Sequence, residues 1–314
     1  MRNEHTSQST QKVVRCYSVL DKFFPSCGLL DFSEGIYHDD PRTSYEQAQQ
    51  NQISYLLDEV KCTGGARILD LGCGNGTLLE EVRRRGGVGV GITISPEQVG
   101  FCKKRGLDAR LLDYREMGEE WDGYFDAVVA NGSIEHFVSP RQAAAHKADE
   151  AYIHLFRTLH RIINPQSGSK GVVSTTIHFL RRPDPADLLK SPLAFRWGSD
   201  NFRYALLERS FGGFYPEIGQ LERCAREYFD LVHTVDGTYD YYLTSEEWLR
   251  RIRKALRSSK GLRILAKSLP LAARHPRQFA AMVLCMLVTE SWNWQFRPPD
   301  PPTRLLRQTW AYHG

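Results

Sequence analysis

Residues 67–76 read Arg-Ile-Leu-Asp-Leu-Gly-Cys-Gly-Asn-Gly, an apolar run that meets an aspartate and then three glycines at alternate positions, Gly72, Gly74 and Gly76. The apolar run suits a buried strand, and glycines at its carboxyl end remove the Cβ atoms that would hold a ligand off the backbone. A helix starting there offers free N–H groups. A dinucleotide fingerprint would space its glycines Gly-x-Gly-x-x-Gly and place its acid after the second strand. Here the spacing is Gly-x-Gly-x-Gly and Asp70 comes first. That order points away from a nicotinamide cofactor and towards S-adenosylmethionine (SAM), whose sulfonium and amino-acid moiety call for carboxylate partners and room.

The pattern on either side of this segment predicts strands at 67–71, 88–93, 108–112, 125–130 and 171–177, with helices at 76–85, 96–105 and 141–163 between them. Such alternation implies an α/β fold with a doubly wound, mostly parallel, Rossmann-like sheet. A hairpin of Phe229–Val235 and Thr238–Tyr242 brings the strand number to seven. Upstream, a helix over 10–24, a loop over 32–37 and a helix over 45–60 lead in. Residues 179–222 interrupt the rhythm with Phe195, Trp197, Phe202, Tyr204, Phe211, Phe214 and Tyr215, an aromatic insertion read as a functional cap. The expected organisation is a helical lead-in and covering loop at 1–60, a SAM-binding core at 61–248 with its cap at 179–222, and a basic helical extension at 249–314.

Length allows one substantial core and a smaller second element. No stretch approaches the roughly 20 apolar residues of a membrane span, and the polar Met1–Lys12 lacks the apolar centre of a secretory signal, so a cytoplasmic protein is expected. The seven cysteines are scattered and never spaced Cys-x-x-Cys, which reads as free thiols without a disulfide frame or a metal site. The net charge of +4 hides an asymmetry: Trp248–Thr289 holds ten Lys or Arg and no acid, leaving 31 basic against 37 acidic residues elsewhere. Leucines and isoleucines interleave with these cations as on an amphipathic helix. Residues 250–277 therefore read either as a solvated helical face or as a contact for an anionic membrane surface, an acidic carrier or a phosphorylated substrate. No nucleic-acid reading motif accompanies the patch.

The second strand ends Gly91-Ile92-Thr93-Ile94-Ser95-Pro96-Glu97-Gln98, with hydroxyls and an amide where most SAM enzymes place an acid for the ribose. Leu111-Leu112-Asp113-Tyr114 follows the third strand and Asn131-Gly132-Ser133-Ile134-Glu135-His136-Phe137 the fourth. With these segments the chain resembles the cyclopropane-fatty-acid synthase and mycolic-acid methyltransferase family, over about residues 30–250. The resemblance implies that Phe32 and Ser33 close over the methionine end of SAM and that Asp70, Gly72 and Gly74 form the cradle. It further implies that Thr93, Ile94, Ser95 and Gln98 meet the ribose and adenine edge, with Tyr114 stacked beside adenine and Asp113 and Asn131 at the same strand ends. Plainer roles stand beside these: Gly76 serves helix packing, and Asp70 caps a helix.

In the resembled family an alkene attacks the SAM methyl group, and the resulting carbocation loses a proton, so reactants must be aligned and a base supplied. Aromatic faces suit the cation. The family's base is a bicarbonate ion, held by a Glu after strand four, a Tyr near the last hairpin, a His on strand five and a Cys backbone in the N-terminal loop. Glu135 and Tyr241 match the first two. The Cys position reads Glu34 and the His position Thr176, with His178 two residues on. An anionic side chain would repel bicarbonate, so Glu34 reads as the base itself, as a contact to a cationic or hydroxyl-bearing acceptor, as a partner of the SAM ammonium, or as a solvated loop acid. His178 reads equally as a core histidine. The implied activity is C-methylation of an unsaturated lipid or isoprenoid-like chain, ring closure being less supported because the bicarbonate set is incomplete. Two alternatives remain open: O- or N-methylation of a small specialised metabolite with Glu135 or His136 as base, and a SAM-binding regulatory protein without chemistry.

Overall fold

A seven-stranded sheet runs through the computed structural model, which describes residues 8–29, 32–167, 171–259 and 261–313. Its strands are β1 (Arg67–Leu71), β2 (Val88–Thr93), β3 (Asp108–Leu111), β4 (Ala127–Asn131), β5 (Gly171–Phe179), β6 (Phe229–Asp236) and β7 (Thr303–Tyr312). They lie in the order β3-β2-β1-β4-β5-β7-β6, parallel from β1 to β5, with β7 antiparallel to both neighbours. The strand order reverses between β1 and β4, and the crevice outside the carboxyl ends of such strands is where ligands of open α/β sheets bind. The doubly wound expectation is met.

The helices, among the described residues, are α1 (Gln8–Phe23), α2 (Tyr45–Glu59), α3 (Thr77–Arg84), α4 (Pro96–Lys104), α5 (Pro140–Ala144), α6 (Ala148–Ile162), α7 (Asp200–Phe211), α8 (Gln220–Ala225), α9 (Thr238–Arg257), α10 (Gly261–Arg274), α11 (Pro276–Val283) and α12 (Ser291–Trp294). Ile68, Leu69 and Leu71 of β1 are buried, as the continuous apolar run requires of a strand covered on both faces. The helix expected over 141–163 is two helices. Ser139 and Gln142 form a capping box that starts α5, and His146 in the left-handed region (φ +55°) ends that turn before α6 begins.

The expected hairpin is a correction. β6 ends as predicted, but Asp236 accepts a hydrogen bond from the Thr238 backbone N–H at 2.8 Å and turns the chain into α9. Thr244, Ser245, Trp248, Leu249 and Ile252 are then buried at helical spacing. The antiparallel partner of β6 is β7, drawn from the segment expected to belong to a helical extension at 249–314. That segment is helical through α12, but its end enters the sheet between β5 and β6. The cap is composite too: the insertion contributes α7, which packs with α1, α11 and α12.

Trp310 on β7 is buried and its Nε1 donates to Ser174 Oγ on β5 at 3.3 Å. Trp310→Ala should destabilise the protein by about 3–5 kcal/mol in equilibrium denaturation; a loss below about 1 kcal/mol would contradict an internal β7.

Candidate active site

The glycine-rich turn after β1 is shaped by close approach. Gly72 has φ +94°, and a Cβ there would lie 2.7 Å from the Ser133 Cβ; Gly74, also left-handed, faces open space. Side chains are thus kept out where a ligand would need the backbone. Gly76 plays the plainer role: its Cβ would meet Cys102 Sγ and Leu107 Cδ1, both at 2.8 Å. All twelve residues that the sequence assigns to the cofactor line one cavity at the carboxyl ends of β1–β4. Phe32 and Ser33 cover it from the N-terminal loop; Asp70, Gly72 and Gly74 form its floor; Thr93, Ile94, Ser95 and Gln98 come from β2 and α4; Asp113, Tyr114 and Asn131 close the far side.

Their local contacts explain the positions. Thr93 Oγ1 donates to Gln98 Oε1 at 2.7 Å and accepts from the Ser95 N–H at 3.2 Å, while Ser95 Oγ caps α4. Burial would raise the Asp113 carboxyl, but hydrogen bonds from the Arg115 guanidinium and backbone outweigh it and hold the pKa below the usual range. The Tyr114 ring stacks on Phe137 with centroids 4.7 Å apart. Asn131 Oδ1 accepts from Thr175 Oγ1 at 2.7 Å. A cradle open at Gly74, a buried Asp70 and a ring platform fit SAM.

Behind the cradle lies a smaller chamber, sharing Tyr17, Phe32, Gly132 and His136 with the first cavity. Aromatic rings dominate its wall. Phe32 stacks on Trp248 (centroids 4.4 Å apart) and on Trp292 (6.0 Å), and Tyr241 stacks on Phe296 at 4.2 Å and meets Trp248 edge-on. Two carboxylates, Glu34 and Glu135, enter this chamber at 2% and 4% exposure. Burial excludes the solvated-loop reading of Glu34.

Each carboxylate has a different environment. Gly35, whose Cβ would lie 2.6 Å from the Ala48 Cβ, presses the loop onto α2, and its N–H donates to Thr244 Oγ1 at 3.0 Å. Glu34 then receives Gln52 Nε2 at 2.5 Å. Gln52 Oε1 in turn accepts from Arg307 Nε at 2.9 Å, and Arg307 Nη1 pairs with Asp240 at 2.9 Å. Burial raises the Glu34 pKa, and the Arg307 charge opposes the rise. Glu135, in a tight turn over Ile134–His136, has an Oε2 without a hydrogen-bond partner. Burial, joined by the nearby charge of Glu34, pushes its pKa up to about 8. His136 contacts the Tyr17 hydroxyl at 3.1 Å through Nε2, and burial lowers it to about 4, leaving a neutral ring. Burial and the two carboxylates raise the Tyr241 phenol well above its ordinary value.

His178 is a second correction. The site-facing side of β5 is that of Thr175 and Ile177, so Thr176 and His178 lie on the opposite face. His178 Nδ1 sits 3.0 Å from the Thr176 carbonyl and burial lowers the ring to about 4, so it is a core histidine outside both cavities. Tyr17, Gln52, Trp248, Trp292, Gln295 and Arg307 were missed as site residues because they come from α1, α2, α9, α12 and β7 and carry no local motif.

The sheet order and the glycine cradle define a SAM-dependent methyltransferase fold. The chain belongs to the mycolic acid cyclopropane synthetase family, whose match covers residues 4–263. Over 109 residues, 32% of this chain, it is 37% identical to a probable fatty acid methyltransferase of Pseudomonas putida, covering 27% of that protein. Over 101 residues, 31% of the chain, it is 37% identical to the cyclopropane-fatty-acyl-phospholipid synthase of Escherichia coli K12, covering 25% of it. The shared segment thus spans about a quarter of each curated relative. The cyclopropane synthase MmaA2 of Mycobacterium tuberculosis superposes with a TM-score of 0.68 at 18% identity, over 98% of this chain and 100% of that one. That likeness is one of fold.

Glu135 makes stability depend on pH with a definite sign. Between its ordinary value of 4.5 and about 8 the folded protein keeps a proton the unfolded chain has lost, so stability falls as pH rises through this window. Glu135→Gln should flatten the slope and be more stable than wild type by a few kcal/mol at about pH 9. Urea unfolding at about pH 5, 7 and 9 measures this; parallel wild-type and variant curves would rule it out.

Proposed function

We propose that this chain transfers the methyl group of SAM to carbon of an unsaturated, apolar acceptor of lipid or isoprenoid-like kind. The observation that carries the reading is the aromatic chamber behind the cradle, which has no Lys or Arg among its described lining residues. Bound SAM supplies an electrophilic methyl group. The rings of Phe32, Phe211, Trp248 and Trp292 keep water away and offer π faces to positive charge developing on the acceptor. Tyr241 and Glu135 stand at the same wall. Carbon methylation followed by proton loss asks for apolar walls and a carboxylate, and both are present. Heteroatom methylation at a neutral hydroxyl would ask for a strong general base, whereas burial lowers His136 to about 4 and so makes it a weak one, with its Nε2 already 3.1 Å from the Tyr17 hydroxyl.

The test uses labelled SAM with separate alkene, hydroxyl and amine acceptors. Label on carbon in the alkene panel is the expected result; label only on oxygen or nitrogen would replace this reading with the O- or N-methyltransferase one. Binding of SAM without turnover on any panel would favour a regulatory protein.

Acceptor delivery draws on α10. No helix among the described residues is long and apolar enough to cross a membrane. In α9 the first cations are already used: Arg250 and Arg251 pair with Glu247, Arg251 also with Glu46, and Arg253 with Glu290. Lys254, Arg257, Arg263, Arg274 and Arg277 are exposed and, among the described residues, make no ion pair. Beside them Leu262 and Leu269 are 82% and 68% exposed. Exposed leucines within an acid-free basic rim suit the surface of an anionic bilayer. Sedimentation with phosphatidylglycerol vesicles should bring the protein down, and a Leu262→Asp, Leu269→Asp variant should stay in solution with unchanged SAM affinity. Equal sedimentation of variant and wild type would remove this contact.

A further inference from the structure

The chamber holds two buried carboxylates where one base is required, and their surroundings separate their charge states. Glu34 is the member with compensation: the Gln52 amide donates to it at 2.5 Å, and Gln52 is itself oriented by Arg307 Nε at 2.9 Å. Arg307 is held in place by two further bonds, Nη1 to Asp240 and Nη2 to the Gly35 carbonyl at 3.2 Å. Gly237 makes room for it, since a Cβ there would lie 2.6 Å from Arg307 Nη1. Among the described residues Glu135 has no cation beside it, and its Oε2 has no hydrogen-bond partner. Paired titratable groups whose environments push their pKa values apart divide acid from base roles. Burial raises both carboxyls, but Arg307 opposes the rise at Glu34 while the charge of Glu34 adds to it at Glu135, so the amide and cation on the Glu34 side favour the first negative charge there.

We infer that the Glu34 carboxylate is the built-in base that removes the proton from the methylated acceptor cation. The inference rests on the carbon-methylation reading above. Either a C–H bond on a carbon next to the cationic carbon breaks and its electron pair becomes the new C–C π bond, or a C–H bond of the transferred methyl group breaks and its pair closes a three-membered ring onto the cationic carbon. In both cases the proton forms an O–H bond on Glu34. The neutral Glu34 acid then returns its proton to solvent on product release. Glu135 stays protonated at neutral pH, which keeps the chamber at a single negative charge. The Gln52–Arg307–Asp240 chain holds the Glu34 carboxylate aimed at the chamber, and Gln52 and Arg307 are positioning residues.

Infrared difference spectroscopy of the protein with S-adenosylhomocysteine reads the charge assignment without turnover. At about pH 7 the C=O stretch of a protonated buried carboxyl should be present, should vanish in Glu135→Gln and should persist in Glu34→Gln. Loss of the band in Glu34→Gln instead would overturn the proposal. In turnover, Glu34→Gln should lose about 10²–10⁴-fold in kcat with SAM affinity unchanged, and wild-type activity should not change when bicarbonate is removed from the buffer. Glu34→Ala should recover part of its rate with added formate or bicarbonate. Wild-type kcat in Glu34→Gln, or bicarbonate dependence in wild type, would overturn the proposal. Glu34→Asp, which keeps the countercharge of Arg307, separates these effects from misfolding: it should fold as wild type and still turn over more slowly. Wild-type label on heteroatoms alone would instead sink the carbon-methylation reading, a result distinct from carbon methylation that survives Glu34→Gln.

Discussion

The Arg307 guanidinium is the interaction around which the active half of the molecule is organised. A cation removed from water is tolerated only when its charge and donors are met. Arg307, on the last strand of the sheet, is met by Asp240 from α9, Gln52 from α2 and the Gly35 carbonyl from the N-terminal loop. Three segments far apart in the chain must therefore be in place together for the strand to be in place. Through Gln52 the same cation reaches Glu34, and through Gly35 it fixes the loop whose Phe32 forms part of the aromatic wall. Sheet completion, loop closure and chamber electrostatics are one coupled arrangement.

The two cavities differ in how their chemistry is encoded. The cradle is local: a few residues after each of four neighbouring strands, with glycines whose left-handed backbone and close approach to Ser133 leave no choice of side chain. The chamber is assembled from α1, the N-terminal loop, the turn after β4, the end of the insertion, α9 and α12. Its polar groups are few and each is buried, so the difference of a single neighbouring cation divides two glutamates into unlike species.

That difference in encoding explains what the sequence made legible. β1, β2, β4 and β5 were readable as apolar runs ended by turn residues, and β3, Asp108-Ala109-Arg110-Leu111, by its place in the alternation of strands and helices. The cofactor positions were found through family likeness at those strand ends and at the Phe32–Ser33 loop. Glu34, Glu135 and Tyr241 were found through family likeness, and all three line the chamber. The hairpin was misread because the alternation in 238–242 fits a strand as well as the first turn of a helix, and the Asp236 cap decided the matter. β7 was invisible as a sheet member because its partners lie about 130 and 75 residues upstream, at β5 and β6. Of the two readings of His178 the core one fits, because a two-residue offset keeps it on the Thr176 face of β5, away from the chamber.

The position of β7 has a consequence for the order in which the molecule can be made. β5 and β6 are joined only through a strand that follows both of them by a long stretch of chain, so residues 303–312 must emerge before the sheet edge beyond β5 is covered. Until then β5 presents unpaired backbone groups, and Glu34 lacks its guanidinium neighbour. Until β7 emerges the chain therefore carries an open sheet edge, a state in which long-range pairing is slow and aggregation is favoured. The strand that supplies Arg307 is at once the piece that closes the sheet between β5 and β6 and the one whose guanidinium reaches Glu34 through Gln52.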